Sequence, residues 1–110
     1  MTALTGRVTV RAKRSILGRM DTQYDLTVHP PRAGSAELGG WTWLPRMIDK
    51  ARATYHGNPG SFAHPCSRDR VLLAQLGMST EEFRGIIDRT SSDEAVLAEV
   101  RAFRDAKALA

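Results

Sequence analysis

The sequence around the single cysteine contains the residue types needed for thiol chemistry. Cys66 follows His64 and precedes Arg68 and Arg70. Positive potential next to a helix N-terminus favours the thiolate, the nucleophilic form of cysteine, and His64 or His56 could accept the thiol proton. This pattern predicts that Cys66 and His64 are the catalytic residues of a thiol-dependent enzyme. The alternative is that Cys66 is a small buried core residue.

The same region offers the nitrogen, sulfur and carboxylate ligands that zinc accepts. The residues in question are His56, His64, Cys66 and Asp69. Their spacing lacks the C-x-x-C or H-x-x-x-H pair that anchors most zinc motifs. We therefore expect neither a metal nor a cofactor.

A second group of charged residues suggests an anion site. Arg46 and Lys50 are four residues apart in a predicted helix, so their charges repel each other unless Asp49 or a bound anion compensates. Helix N-termini bind phosphate and carboxylate groups readily. The sequence therefore predicts a small anionic ligand, whereas the alternative is that Asp49 pairs with Arg46 or Arg52 on a solvated helix face. Further cationic candidates for this site are Arg32, Arg68 and Arg70.

Two tryptophans follow a Gly-Gly pair and precede this helix. Trp41 and Trp43 could line a ligand pocket or a protein partner's surface, since aromatic residues are concentrated at both. They could equally cover the core of a chain with only seven aromatic residues. If the segment is extended, the two side chains point in opposite directions, so we expect one to be buried and the other partly exposed.

The charge of the chain is unevenly distributed. Its net charge is +4, but five cations precede the first acidic residue, Asp21, and the remaining eleven Lys and Arg face twelve Asp and Glu. We expect residues 1–19 to be a basic, disordered extension. Alternatively, they form a short basic strand or arm of a nucleic-acid accessory protein, or a transit peptide. The five cations are Arg7, Arg11, Lys13, Arg14 and Arg19.

Nucleic-acid binding by the rest of the chain is disfavoured. Residues 71–87 superficially resemble a helix-turn-helix, but Glu81 and Glu82 begin the helix that would face the phosphates. A single cysteine excludes an internal disulfide, and no apolar run reaches the roughly 20 residues that span a bilayer. We therefore expect a cytoplasmic protein that does not enter the membrane, with residues 20–110 forming one domain.

The elements that position these residues are predicted to be helices. Residues 25–40, which contain Pro30, Pro31 and three glycines, predict a connector without regular structure. A first helix over residues 42–55, with Thr42 as N-cap, places Lys50 on a charged outer face. A second helix over residues 68–76, with Ser67 as N-cap, places Val71 on its apolar side.

Two further helices begin at capping boxes. Ser79 and Glu82 form the first box, with Met78 and Phe83 as its hydrophobic staple, and predict a helix over residues 80–89. Ser91 and Glu94 repeat the pattern for a last helix that reaches about Lys107. Short turns between helices favour a mainly α fold, a compact bundle of about four helices with an irregular or extended N-terminal segment.

One block of sequence resembles a known family. LGGWTWLPRMIDKARA, from Leu38 to Ala53, follows Pro30-Pro31-Arg32 and precedes Cys66, Asp69 and the Glu82-Phe83 helix. These motifs resemble the bacterial family called domain of unknown function 5069, over about residues 24–103. The family has no established activity, so the resemblance implies a small soluble bacterial protein and no mechanism. From the residues we predict a non-catalytic binding or interaction module.

Overall fold

The computed structural model of the protein describes residues 24–109. Four helices form the predicted mainly α bundle: α1 Leu44–His56, α2 Ser67–Leu76, α3 Thr80–Arg89 and α4 Asp93–Leu109. The predicted basic extension, residues 1–19, lies outside the described part, as do the hypotheses of a nucleic-acid arm and a transit peptide. No helix in residues 24–109 is both long enough and apolar enough to cross a membrane.

A short hairpin precedes α1. Strand β1, Glu37–Leu38, pairs antiparallel with β2, Trp41–Thr42. Gly39 and Gly40 join the strands with φ angles of +60° and +88°, which glycine adopts without strain. The prediction that residues 25–40 contain no regular structure was therefore wrong at its C-terminal end. Two residues per strand are too few to produce an alternating sequence pattern.

Three helix starts differ from the prediction. Trp43, not Thr42, is the N-cap of α1, and Cys66, not Ser67, is the N-cap of α2. At α4 the capping residue is Ser92 instead of Ser91: its Oγ accepts from the backbone N–H of Ala95. The Ser79 box at α3 is as predicted, with Glu82 and Ser79 each bonded to the other's backbone N–H.

The four helices enclose one hydrophobic core. Phe83, Leu44, Met47 and Val96 are among its fully buried members, and Met78 belongs to the same cluster. The predicted faces were wrong at two positions. Val71 is 53% exposed, whereas Lys50, placed on the outer face, is only 4% exposed. A buried lysine requires a partner, which leads to the candidate site.

Candidate functional site

A fully buried carboxylate lies between α1 and α2. Asp69, in the first turn of α2, accepts hydrogen bonds from the indole Nε1–H of Trp43 at 2.7 Å and the backbone N–H of Cys66 at 3.1 Å. His64 Nδ1 lies 2.9 Å from the same carboxylate, and Lys50 Nζ lies 3.0 Å away. Four groups therefore converge on this side chain: Lys50 from α1, the N-cap residue Trp43, and His64 and Cys66 from the loop before α2.

These contacts keep Asp69 ionised. Burial alone would raise the pKa of the Asp69 carboxyl, because a low dielectric disfavours the charge. The hydrogen bonds from His64, Trp43, the Cys66 backbone and Lys50 outweigh burial and hold this pKa well below its usual range. Asp69 is therefore the counter-charge that allows Lys50 to be buried.

Lys50 also contacts the thiol. Its Nζ lies 3.1 Å from Cys66 Sγ, and Cys66 is partly exposed, unlike the small core residue of the alternative interpretation. Lys50, and not His64, is the basic group next to the sulfur. The His64 side chain is completely buried, with Nδ1 on Asp69, and its Nε2 has no hydrogen-bond partner among the described residues. Its imidazole packs against the rings of Tyr55 and Phe83.

Trp43 connects this buried network to the surface. It is the only non-glycine residue in the described part with a positive φ, +80°, so its backbone conformation is strained. The indole is fixed by its bond to Asp69 and by Gly34, where a Cβ atom would come within 2.4 Å of the ring. Both Trp41 and Trp43 are partly buried, so the expectation of one buried and one partly exposed tryptophan was wrong.

Three cations surround the Trp43 ring. The guanidinium carbons of Arg46 and Arg68 lie 5.3 and 4.8 Å from its centroid, and Lys50 Nζ lies 5.6 Å away. Lys50 is neutralised by Asp69. Within residues 24–109, neither Arg46 nor Arg68 lies at ion-pair distance from a carboxylate.

An open groove runs beside this ring along one face of α2. Its volume is about 820 Å³, within the range usual for ligand sites. We call it the Trp43 groove. It is lined by Gly40, Trp41, Thr42, Trp43, Arg68, Val71, Leu72 and Gln75. Arg46 touches the same indole but does not line the groove, so it can act on a ligand there through its electrostatic potential.

The structure places three predicted binding residues, Arg32, Asp49 and Arg70, away from the groove. Arg32 binds Asp49 with its backbone N–H, Nε and Nη2, and binds both carboxylate oxygens of Asp93. We call Arg32, Asp49 and Asp93 the Arg32 cluster. The alternative interpretation, in which Asp49 pairs with Arg46 or Arg52, was therefore wrong about the partner, which is Arg32. Arg70 lies on a different surface, with Met78 and Glu81.

The Arg32 cluster joins the N-terminal segment to α1 and α4. The hydrogen bonds that Arg32 donates to Asp93 and Asp49, working against partial burial, raise the pKa of Arg32 above its ordinary value. The hydrogen bond from Arg32 lowers the pKa of Asp93. Arg52 donates to the carbonyls of Ile87 and Thr90 at the end of α3. These two arginines therefore have structural partners.

The four zinc-type residues do not converge. His56 Nε2 lies 2.7 Å from Asp88 on the surface, whereas His64 and Asp69 are buried. In residues 24–109 no group of three or more His, Cys, Asp and Glu is arranged to hold a metal ion.

Sequence reasoning missed the pairing of Lys50 with Asp69. The two residues are far apart in sequence, so no local pattern connects them. One indication was available: Lys50 follows Met47 by three residues and therefore borders the apolar stripe of α1. Another was Asp69, three residues after Cys66, the spacing of an N-cap and its capping-box partner.

The fold and site define a small helical protein with a buried, charged network beneath an arginine-bordered groove. Residues 28–109 match the family model described as Domain of unknown function (DUF5069), and the chain belongs to this family. The resemblance seen in the sequence is thereby confirmed. A search of curated proteins and a search of solved structures each returned no significant match.

Proposed function

We propose that this protein is a binding module for small anionic ligands and that the ligand binds in the Trp43 groove. The observation that carries the proposal is the position of Arg68, which lines the groove, stacks on Trp43 and has no carboxylate partner in residues 24–109. Elsewhere in the fold, Arg32 and Lys50 are matched by carboxylates. An anion would complete the same pairing at Arg68.

The stacked geometry suits anion recognition. A guanidinium group that lies on an aromatic face keeps its N–H donors at its edge, where a carboxylate or phosphate can accept two of them. Arg46, held between the rings of Trp43 and Phe62, donates one hydrogen bond to the Arg32 carbonyl and adds positive potential. Arg68 therefore contacts the ligand directly, and Arg46 attracts it from a greater distance.

The test is a titration with inorganic phosphate and with acetate, followed by tryptophan fluorescence, because both tryptophans line the groove. Arg68→Ala should weaken binding about tenfold, the scale of one charge-assisted contact, and Arg46→Ala about two- to threefold. Arg70→Ala is the matched control, because it removes an exposed arginine of the same helix that lies away from the groove. Equal affinities in wild type, Arg68→Ala and Arg70→Ala would overturn the proposal.

A second candidate function is thiol chemistry at Cys66, which the contact with Lys50 favours. The Lys50 ammonium group lies 3.1 Å from the sulfur and can donate a hydrogen bond to it, and Cys66 is partly exposed. In this version Lys50 replaces His64 as the residue that activates the thiol, and His64 positions Asp69. We further propose a reducing, cytoplasmic and bacterial setting, which an unpaired thiol in a partly exposed position suits.

The thiol hypothesis is tested by the rate of Cys66 alkylation with iodoacetamide at neutral pH. Lys50→Met should slow alkylation at least about tenfold, because the sulfur loses the ammonium group next to it. His64→Gln keeps a polar side chain next to Asp69 and should change the rate by less than about threefold. If Lys50→Met reacts as fast as wild type, Lys50 does not activate the thiol.

A further inference from the structure

The Trp43 groove has a direction. Arg68, Val71 and Gln75 lie on one face of α2, because they are three and seven residues apart. From Arg68 to Gln75 the helix rises about 10 Å. Arg68 lies at the end near the start of α2, and Gln75 lies at the end near its C-terminus. A ligand lying along the groove would therefore be elongated.

The middle of the groove is apolar. Val71, which lines the groove, is 53% exposed. It lies in the same groove as Trp41 and Trp43, and both rings are only partly buried. Together they offer apolar surface that an inorganic anion would leave in contact with water.

At the Gln75 end of the groove, an arginine is already bonded to the backbone of α2. Arg104, from α4, lies over the Trp41 ring at 4.9 Å and donates to the Gln75 carbonyl at 2.7 Å. That carbonyl is one of the last in α2, so Arg104 completes a helix C-terminus. Arg104 does not line the groove, and Arg68 is the only cation among its lining residues, so the groove has one charged end followed by an apolar stretch.

We propose that the groove selects anions with an elongated apolar body: the anionic head binds Arg68 and the body lies along Val71 between Trp41 and Trp43. This inference rests on the proposed anion-binding function and names the class of ligand. Its chemistry is that of an amphiphilic carboxylate or phosphate. Burial of apolar surface supplies affinity, and the arginine fixes the orientation of the ligand.

The experiment compares three soluble probes: benzoate, 4-butylbenzoate and the uncharged 4-butylbenzamide. Binding is followed by the two indole N–H resonances of ¹⁵N-labelled protein, which report on Trp41 and Trp43 separately. The butyl group should raise affinity about tenfold or more, since each buried methylene contributes several-fold. 4-Butylbenzamide should bind at least about tenfold more weakly than 4-butylbenzoate.

Val71→Asn tests the apolar stretch, and Val28→Asn is its matched control, because both valines are exposed and only Val71 lines the groove. Val71→Asn should reduce the affinity ratio of 4-butylbenzoate to benzoate at least threefold, while Val28→Asn leaves it unchanged. Equal affinity for benzoate and 4-butylbenzoate would overturn the inference, even if the protein still binds inorganic phosphate. If Arg68→Ala instead binds inorganic phosphate as tightly as wild type does, the proposed function is overturned.

Discussion

The Arg32 cluster and the Trp43 groove use arginine in opposite ways. Arg32 contacts two carboxylates, Asp49 and Asp93, and thereby connects the N-terminal segment to α1 and α4. Arg68 stacks on Trp43 and has no such partner in the part of the chain described. Arg32 is therefore a cation that stabilises the fold, whereas Arg68 is a cation that is available to a ligand.

The Asp69 network, formed by Asp69, Lys50, His64 and Trp43, does not include Arg68. Its charges are balanced below the surface, where Asp69 pairs with Lys50 and fixes the Trp43 indole. Trp43 in turn provides the surface on which Arg68 stacks. The buried network therefore positions the groove without using the charge of Arg68.

The largest effect is expected at Asp69. Asp69→Ala should lower the free energy of unfolding by about 3–5 kcal/mol, because it leaves the buried Lys50 without a counter-charge. Urea denaturation measures this change, and Asp105→Ala on the exposed face of α4 is the control. Adding Lys50→Met should recover at least about 1 kcal/mol. If Asp69→Ala loses no more unfolding free energy than Asp105→Ala, the network does not hold the site together.

A smaller effect is expected in the Arg32 cluster. Arg32→Ala should destabilise the fold by about 1–2 kcal/mol, because it removes a guanidinium group that bridges two carboxylates at a partly exposed site. Arg68→Ala, which breaks no ion pair, should cost less than about 1 kcal/mol. Thermal and urea denaturation of both variants test this difference. Equal losses of unfolding free energy would show that the two arginines contribute equally to the fold.

The smallest effect concerns pH. The hydrogen bond from Arg32 lowers the pKa of Asp93 in the folded state, despite partial burial. The contribution of this hydrogen bond to stability is therefore present above the ordinary aspartate pKa of about 3.9. It is lost as the pH falls through the lowered pKa of Asp93. Asp93→Asn should make the decline in unfolding free energy below about pH 4 shallower than in wild type. An identical acid decline in the two proteins would contradict this assignment.

Local patterns predicted the helices better than the site. The Ser79–Glu82 box is contained within four residues, so it located the start of α3 correctly. At α4, Ser91 and Ser92 are both good caps, and only the packed structure selects between them. The hairpin escaped prediction because each strand has only two residues.

The residue types in the site were predictable, but their partners were not. The sequence indicated arginine, tryptophan and cysteine around α1 and the start of α2, yet the pairings depend on how two helices pack. The burial of Lys50 follows from Asp69 on another helix, and the role of Arg32 follows from Asp93 on α4. Such long-range pairs leave no periodic trace in one sequence.

The most direct test of the account is calorimetric titration of inorganic phosphate into wild type, Arg32→Ala and Arg68→Ala. We expect Arg32→Ala to bind phosphate within about twofold of wild type despite its lower stability, because its charge is already paired. We expect Arg68→Ala to lose about tenfold in affinity while remaining nearly as stable as wild type. The reverse pattern, with affinity lost at Arg32 and retained at Arg68, would contradict the assignment of the Trp43 groove as the anion site.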